Sequence, residues 1–225
     1  MTSFLNLYFD KSIRVSQDGF YFARTENGRR ETISFPGDSG ALLSVEAAAF
    51  FNESDSIDVV LAEDVPMLIP AEIFDTAKTN DYLRLHTDTS KSARTVQENM
   101  GGYVALACIS SNRSNSLESL PNKLHMHTEA SLFHRHLVEG GAENTILASQ
   151  NKAFFDMMVV SKGELQLLNR FDTGHPDDTI YYMLNAIKVF GMKAPEITVI
   201  DIDGAGRQVH DYFASKKLKT TMFVL

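Results

Sequence analysis

The sequence predicts an α/β fold built twice, because two stretches of the chain carry the same order of signals. Ile13-Arg14-Val15-Ser16-Gln17-Asp18-Gly19-Phe20-Tyr21-Phe22 is echoed by Ile146-Leu147-Ala148-Ser149-Gln150-Asn151-Lys152-Ala153-Phe154-Phe155. Each reads as a short strand, a tight polar turn and a longer aromatic strand, and each is followed by a third strand, a helix and a Val/Ile-rich strand. Both halves therefore read βββαβα, with additions. The Gly140-Gly141 pair marks the boundary, giving domains of residues 1–140 and 141–225.

In the first half, Ser12 to Val15 and Phe20 to Arg24 are strands joined by Asp18-Gly19, a dipeptide suited to a two-residue hairpin because glycine tolerates positive φ. Glu31 to Phe35 is the third strand. Asp38 is the N-cap expected for a helix to Asn52, whose Leu42, Val45 and Ala49 recur at helical spacing. Ile57 to Leu61 is a strand, and Pro70 is read as opening a short helix that carries Ile73 and Phe74. Residues 75–102 are polar and read as an irregular surface excursion. The apolar run Val104 to Ile109 is a buried strand. A short helix within 112–122, a strand Lys123 to Thr128 and a helix Ser131 to Val138 complete this half.

In the second half, Thr145 to Ala148, Phe154 to Val160 and Leu165 to Phe171 form a meander. The clearest helix of the chain follows. Pro176 lies in its first turn, Asp177 and Asp178 face the positive end of its dipole, and Ile180, Met183, Leu184 and Ile187 share a face up to the stop at Gly191. Ile197 to Ile200 is a strand, 201–206 a loop, Val209, Tyr212 and Phe213 mark a last helix, and Thr221 to Leu225 is the closing strand.

Composition narrows the function classes. The 225 residues are 44% hydrophobic and 22% charged, ordinary for a globular chain able to bury a large core. The net charge is −8 and the basic residues do not cluster beyond Lys216, Lys217 and Lys219, which argues against nucleic acid as a partner, since phosphate neutralisation supplies most non-specific affinity. With a single cysteine, Cys108, no intrachain disulfide forms. The first ten residues lack a basic and apolar leader, and no run approaches a membrane span, so no membrane insertion and a cytoplasmic location are expected.

The chain resembles a family on specific residues: Ser12 to Ser16 with Asp18-Gly19-Phe20, Val65-Pro66 with Ile69-Pro70 and Phe74, and above all 155–165, Asn169-Arg170-Phe171 and Asp178 to Leu184. It is similar to an uncharacterised Bacteroidetes family, a domain of unknown function with the actin-like ATPase, or ribonuclease H-like, fold. The resemblance spans nearly the whole chain. It implies that any nucleotide would be held on the two hairpin turns and on the loop before the last helix.

That implication yields the candidate cofactor-binding residues: Asp18 and Gly19 in the first turn, Asn151 in the second, and Asp203, Gly204 and Gly206 where a strand meets a helix N-terminus. The phosphate cradle reads as degraded, since Phe20 and Tyr21 follow the first glycine and the second turn has no glycine. Asp201 and Asp203 are spaced to share Mg²⁺, with Asp156 on the strand expected to face the cleft, or else to cap turns. Of His125, His127, His134 and His136, only His125 and His127 with Glu129 share a strand face, and no catalytic or metal site is assigned. The expected function is a non-catalytic binding or scaffold module with a degenerate nucleotide site and a protein partner, recognised near residues 76–100 or in the cleft; a homo-oligomer stays open. The alternative is a switch or weak ATPase that closes on Mg²⁺-ATP. A metal-dependent hydrolase or nuclease of ribonuclease H-like type ranks third, for want of a basic face and of a strong carboxylate set.

Overall fold

In the computed structural model, residues 3–27, 29–36, 45, 49–52, 55–86, 92–202 and 204–224 are described. Strands β1 (Lys11–Ser16), β2 (Gly19–Glu26) and β3 (Arg29–Pro36) form an antiparallel meander, with Ser16 opposite Gly19 and Glu26 opposite Arg29 at its two turns. β4 (Ser56–Ala62) runs parallel to β1, and β8 (Lys123–Thr128) parallel to β4, so the first sheet has the order β3-β2-β1-β4-β8. The second half repeats the plan. β9 (Asn144–Gln150), β10 (Phe154–Ser161), β11 (Glu164–Asp172), β12 (Glu196–Asp201) and β13 (Thr220–Val224) take the order β11-β10-β9-β12-β13. Their senses match too: β9–β10 and β10–β11 are antiparallel, β9–β12 and β12–β13 parallel. The duplicated α/β fold is thus present in strand order and in strand direction.

A third sheet lies between β4 and β8 in sequence. β5 (Met67–Pro70), β6 (Ser92–Met100) and β7 (Tyr103–Ser110) are antiparallel in the order β5-β7-β6. The helices are α1 (Thr79–His86), α2 (Ser111–Glu118), α3 (Glu129–Glu139), α4 (Pro176–Val189) and α5 (Gly206–Ser215). Two expectations are corrected here. Pro70 ends an edge strand rather than opening a helix, a place where its missing N–H leaves no ladder bond unmade. Residues 75–102 are not an irregular excursion but contain α1 and the nine-residue β6. Of the helix expected from Asp38 to Asn52, residues 45, 49 and 50 are helical and most of the remainder lies outside the described residues.

By its contacts the chain divides into Phe9–Leu132 and a second unit made of Met1–Tyr8 with Phe133–Leu225. In the first, period-two alternation aims Ile13 and Val15, Phe20 and Phe22, and Ile57, Val59 and Leu61 at one core, which Val96, Ala107 and Ile109 of the three-stranded sheet complete. The reverse face of that small sheet packs Val104 and Leu106 on Ile69 and on Leu83 of α1, with Cys108 half-buried beside them. In the second unit, Ile146, Ala148, Phe155, Met157, Val159, Ile197 and Val199 of the sheet pack against Ile180, Met183 and Ala186 of α4 and Val209 and Phe213 of α5. Phe213 is fully buried, a burial that contributes about 1.5–3 kcal/mol. The start of α4 is fixed as expected: His175 accepts from the Asp177 N–H at 3.2 Å, Asp178 accepts from the Gly174 and His175 N–H groups at 3.0 Å each, and Pro176 opens the helix.

The opposite face of the first sheet carries a buried charge pair. Arg14 of β1 donates through Nε to Glu129 Oε1 at 2.6 Å and through Nη2 to Oε2 at 3.2 Å, and both side chains are 5% exposed. This fork ties the central strand to the first residue of α3. Breaking one side of such a pair strands a buried charge, whereas replacing both sides with apolar groups does not. Arg14→Met is expected to destabilise the protein by about 3–5 kcal/mol in urea unfolding, and the Arg14→Met/Glu129→Leu double variant by clearly less.

Candidate functional site

The candidate site residues fall on three turns, each at the carboxyl end of a strand that has a parallel neighbour. The first turn, Ser16 to Gly19, joins β1 to β2, with Gln17 and Asp18 exposed at its tip and Gly19 buried. Arg113 of α2, 7% exposed, clamps it from below: Nη1 donates to the Ser16 carbonyl, Nη2 donates to the Gln17 carbonyl at 3.0 Å, and the guanidinium pairs with Glu63 just beyond β4. Gln17 Nε2 donates to the Glu63 carbonyl at 2.9 Å. Contrary to the expectation from sequence, Phe20 does not crowd this turn but is fully buried in the core; of the two aromatics Tyr21 alone faces outward.

The second turn carries its own acceptor. Asn151, 6% exposed, accepts through Oδ1 from the backbone N–H groups of Ala153 and Phe154 at 2.8 Å each, while its own N–H donates to the Phe154 carbonyl at 3.0 Å. An amide oxygen thus stands where an anion would receive these donors. Gln150, 1% exposed, locks the arrangement from the strand side: Nε2 donates to the Asn151 carbonyl at 2.6 Å, Oε1 accepts from the Thr179 hydroxyl of α4, and the Gln150 carbonyl accepts from the Ile202 N–H at 3.0 Å.

The third turn, from β12 to α5, repeats the device with a charge. Asp201 Oδ1 accepts from the N–H groups of Gly204 at 2.9 Å and Gly206 at 3.0 Å, so its carboxylate fills the helix N-terminus. Gly204 has φ of +90°, a conformation side chains avoid. A Cβ on Gly206 would lie 3.0 Å from Asp201 Cβ and 3.1 Å from both Asp201 Cα and Val199 Cγ1. Asp203 lies outside the described residues. Asp156, on β10, is held by Arg170 through two bonds of 2.7 and 2.8 Å, and the Arg170 guanidinium lies 3.9 Å from the centroid of the Phe154 ring. Among the described residues no group of three or more His, Cys, Asp or Glu side chains is placed to hold a metal ion.

The histidine-rich segment forms a different kind of cluster. His127 on β8 places Nδ1 at 3.1 Å from Glu98 Oε1 on β6 and Nε2 at 2.9 Å from Asp58 Oδ1 on β4, with Phe9 stacked on its ring at 5.0 Å. Both nitrogens meet acceptors, which calls for the doubly protonated ring and leaves no lone pair for a metal. The bond to Glu98 raises the His127 pKa, burial opposes it, and Asp58 adds to the rise. Burial pushes Glu98 up, but bonds from His127, from the Ser131 hydroxyl at 2.6 Å, and from the Thr128 N–H and hydroxyl hold it below the usual range. Glu129, read with His125 and His127 as a strand trio, belongs instead to α3 and to Arg14. Neither Glu98 nor Arg113 was visible as a site residue in the sequence, since each sits in a polar stretch without a motif.

The two shifts fix a pH window. His127 stabilises fully below its ordinary value of 6.5 and loses this as pH rises through its higher folded value; Glu98 stabilises fully above its ordinary 4.5 and loses this as pH falls through its lower folded value. The cluster therefore contributes most between pH 4.5 and 6.5. His127→Phe is expected to flatten the alkaline limb of the stability profile in pH-dependent urea unfolding, and NMR titration of the wild-type ring should give a pKa above 6.5.

Comparison with known proteins gives the fold a name. A Bacteroides thetaiotaomicron protein with an actin-like ATPase fold and unknown function superposes with a TM-score of 0.64 at 20% identity, over 96% of this chain and 90% of that one. The PilM–PilN type IV pilus biogenesis complex gives 0.56 at 10% identity over 96% and 88%, and the ethanolamine utilization protein EutJ from Carboxydothermus hydrogenoformans 0.50 at 9% over 96% and 84%. These likenesses show the actin-like ATPase fold. No curated protein matches the sequence. Among the described residues no helix is long and apolar enough to cross a membrane. Residues 47–205 match the family described as protein of unknown function DUF3822, and the chain belongs to that family.

Proposed function

We propose that this protein is a non-catalytic binding or scaffold module on an actin-like fold, with a degenerate nucleotide site and a protein as its partner. One observation carries the reading: the backbone donors of two candidate nucleotide-contacting turns are already taken, by Asn151 Oδ1 and by Asp201 Oδ1. A phosphate entering the second turn must displace an amide that makes two 2.8 Å bonds, and one entering the third must displace a carboxylate of its own sign.

Partner recognition is assigned to the small sheet with α1, the part that departs from the duplicated plan. It exposes Ile73 and Leu85, which are 63% and 80% accessible. The PilM–PilN structure offers a protein of this fold within an assembly, which makes partner binding a known use of the architecture. The single, half-buried Cys108 fits a reducing, cytoplasmic setting.

A second reading, a switch that closes on Mg²⁺-ATP, is favoured by the strand-turn-helix at 201–206, where Gly206 packs its Cα against Asp201 as a nucleotide loop would require. The two part in one thermal unfolding series. Under the scaffold reading, Mg²⁺-ATP leaves the wild-type Tm unchanged, and Asn151→Gly, which frees the Ala153 and Phe154 donors, gains a phosphate-dependent rise. A wild-type rise of about 5–10 °C at ligand near 100 times Kd, equivalent to about 2.7 kcal/mol, overturns the degenerate site and establishes the switch.

A further inference from the structure

The N-terminal segment is joined in sequence to one unit but makes its contacts with the other. Ser3 forms a single parallel bridge with Val224, and the Phe4 N–H donates to the Val224 carbonyl at 2.9 Å, so the segment covers the end of β13 on the side away from β12. The anchor is the Phe4 ring. It is fully buried, with ring centroids 5.5 Å from Phe133, 5.6 Å from Phe223, 5.6 Å from Tyr8 and 5.2 Å from His136. His136 also meets Phe223 edge-on at 5.3 Å, so the imidazole and the two phenyl rings each touch the other two.

We propose that the segment Ser3–Tyr8 is a releasable strap and that protonation of His136 frees it. The strap is held by the bridge, the backbone bond, the buried Phe4 and Leu5 side chains and the packing of Tyr8 on Arg135, and its anchoring ring sits against a titratable group rather than an aliphatic one. Charging an imidazole inside an aromatic box replaces a neutral edge-on contact with a desolvated cation.

The groups facing His136 set the direction. Burial lowers its pKa and Glu139, one turn along α3, raises it in part. Tyr8, whose ring lies 5.7 Å from the Arg135 guanidinium, is pushed up to about 12 and so stays neutral across mild acid. The strap-bound form disfavours the imidazolium, so the penalty begins as pH falls below 6.5, the ordinary value, and is complete below the depressed folded value. Release uncovers the Val224 carbonyl and the Phe133 and Phe223 rings, an edge-plus-pocket that the strap otherwise fills.

The chain contains no tryptophan, so Phe4→Trp places a single reporter in the box. Between about pH 7.5 and about pH 5 its emission should shift to the red and its acrylamide quenching rise about tenfold, with far-UV circular dichroism unchanged. His136→Phe in the same background should abolish the transition. If tryptophan does not fit, hydrogen exchange of the Phe4 amide in the wild-type chain, corrected for the intrinsic pH dependence, should lose about tenfold protection over the same range. A reporter that stays buried until the whole fold is lost, a transition that survives His136→Phe, or unchanged Phe4 protection overturns the proposal.

Discussion

The parallel pairing of β1 with β4 and of β9 with β12 is the constraint from which the rest follows. Parallel strands cannot be joined by a hairpin, so each pair demands a crossover, and in the second half that crossover runs through the helix α4, packed on the sheet with α5 over one continuous apolar face. It also brings the ends of β1, β9 and β12 to positions where the ladder stops and backbone donors run out of strand partners. Buried donors must then be met by something. In this chain the answer is local, Asn151 for Ala153 and Phe154 and Asp201 for Gly204 and Gly206. The same ends of parallel strands are where open α/β sheets take ligands, so the use of side chains there bears directly on function.

How far the sequence could be read depended on what each buried face contains. β9, β10 and β12 bury aliphatic and aromatic residues in register, and α4 announces itself through Pro176, Asp177 and Asp178; these were legible. β6 was not. Its inward positions are Val96, Glu98 and Met100, and a glutamate in the middle of the triplet erases the alternation that would have marked a strand. Glu98 is tolerated there because His127, Thr128 and Ser131 all donate to it, partners that lie some thirty residues away and leave no local trace. Arg113 is hidden for the same reason, since its acceptors are carbonyls of the first turn and Glu63. The residues of the candidate turns were found by position in the duplicated plan, but that Asn151 and Asp201 occupy the donors themselves is a matter of rotamer and distance.

In the first unit, buried charged side chains meet the chain at the start of α3. Arg14–Glu129 anchors the first residue of that helix to β1, and Glu98 receives the N–H of Thr128 just before it. Such ionic contacts add little net stability over apolar replacements, because desolvation offsets most of the attraction. What they do supply is register. A one-residue slip of β8 against β4 would separate His127 from Asp58 and carry Glu129 away from Arg14 at once, so the charges select a single alignment where alternating Leu124 and Met126 alone would penalise a slip less sharply.

The Asn151 turn carries its own brace. A turn ordered by its own amide keeps its shape without an outside ligand, because the Oδ1 that meets the Ala153 and Phe154 N–H groups belongs to the chain itself. Loss of that amide would leave two backbone donors for water or another acceptor to meet, so position 151 governs both the order of the turn and access to its donors.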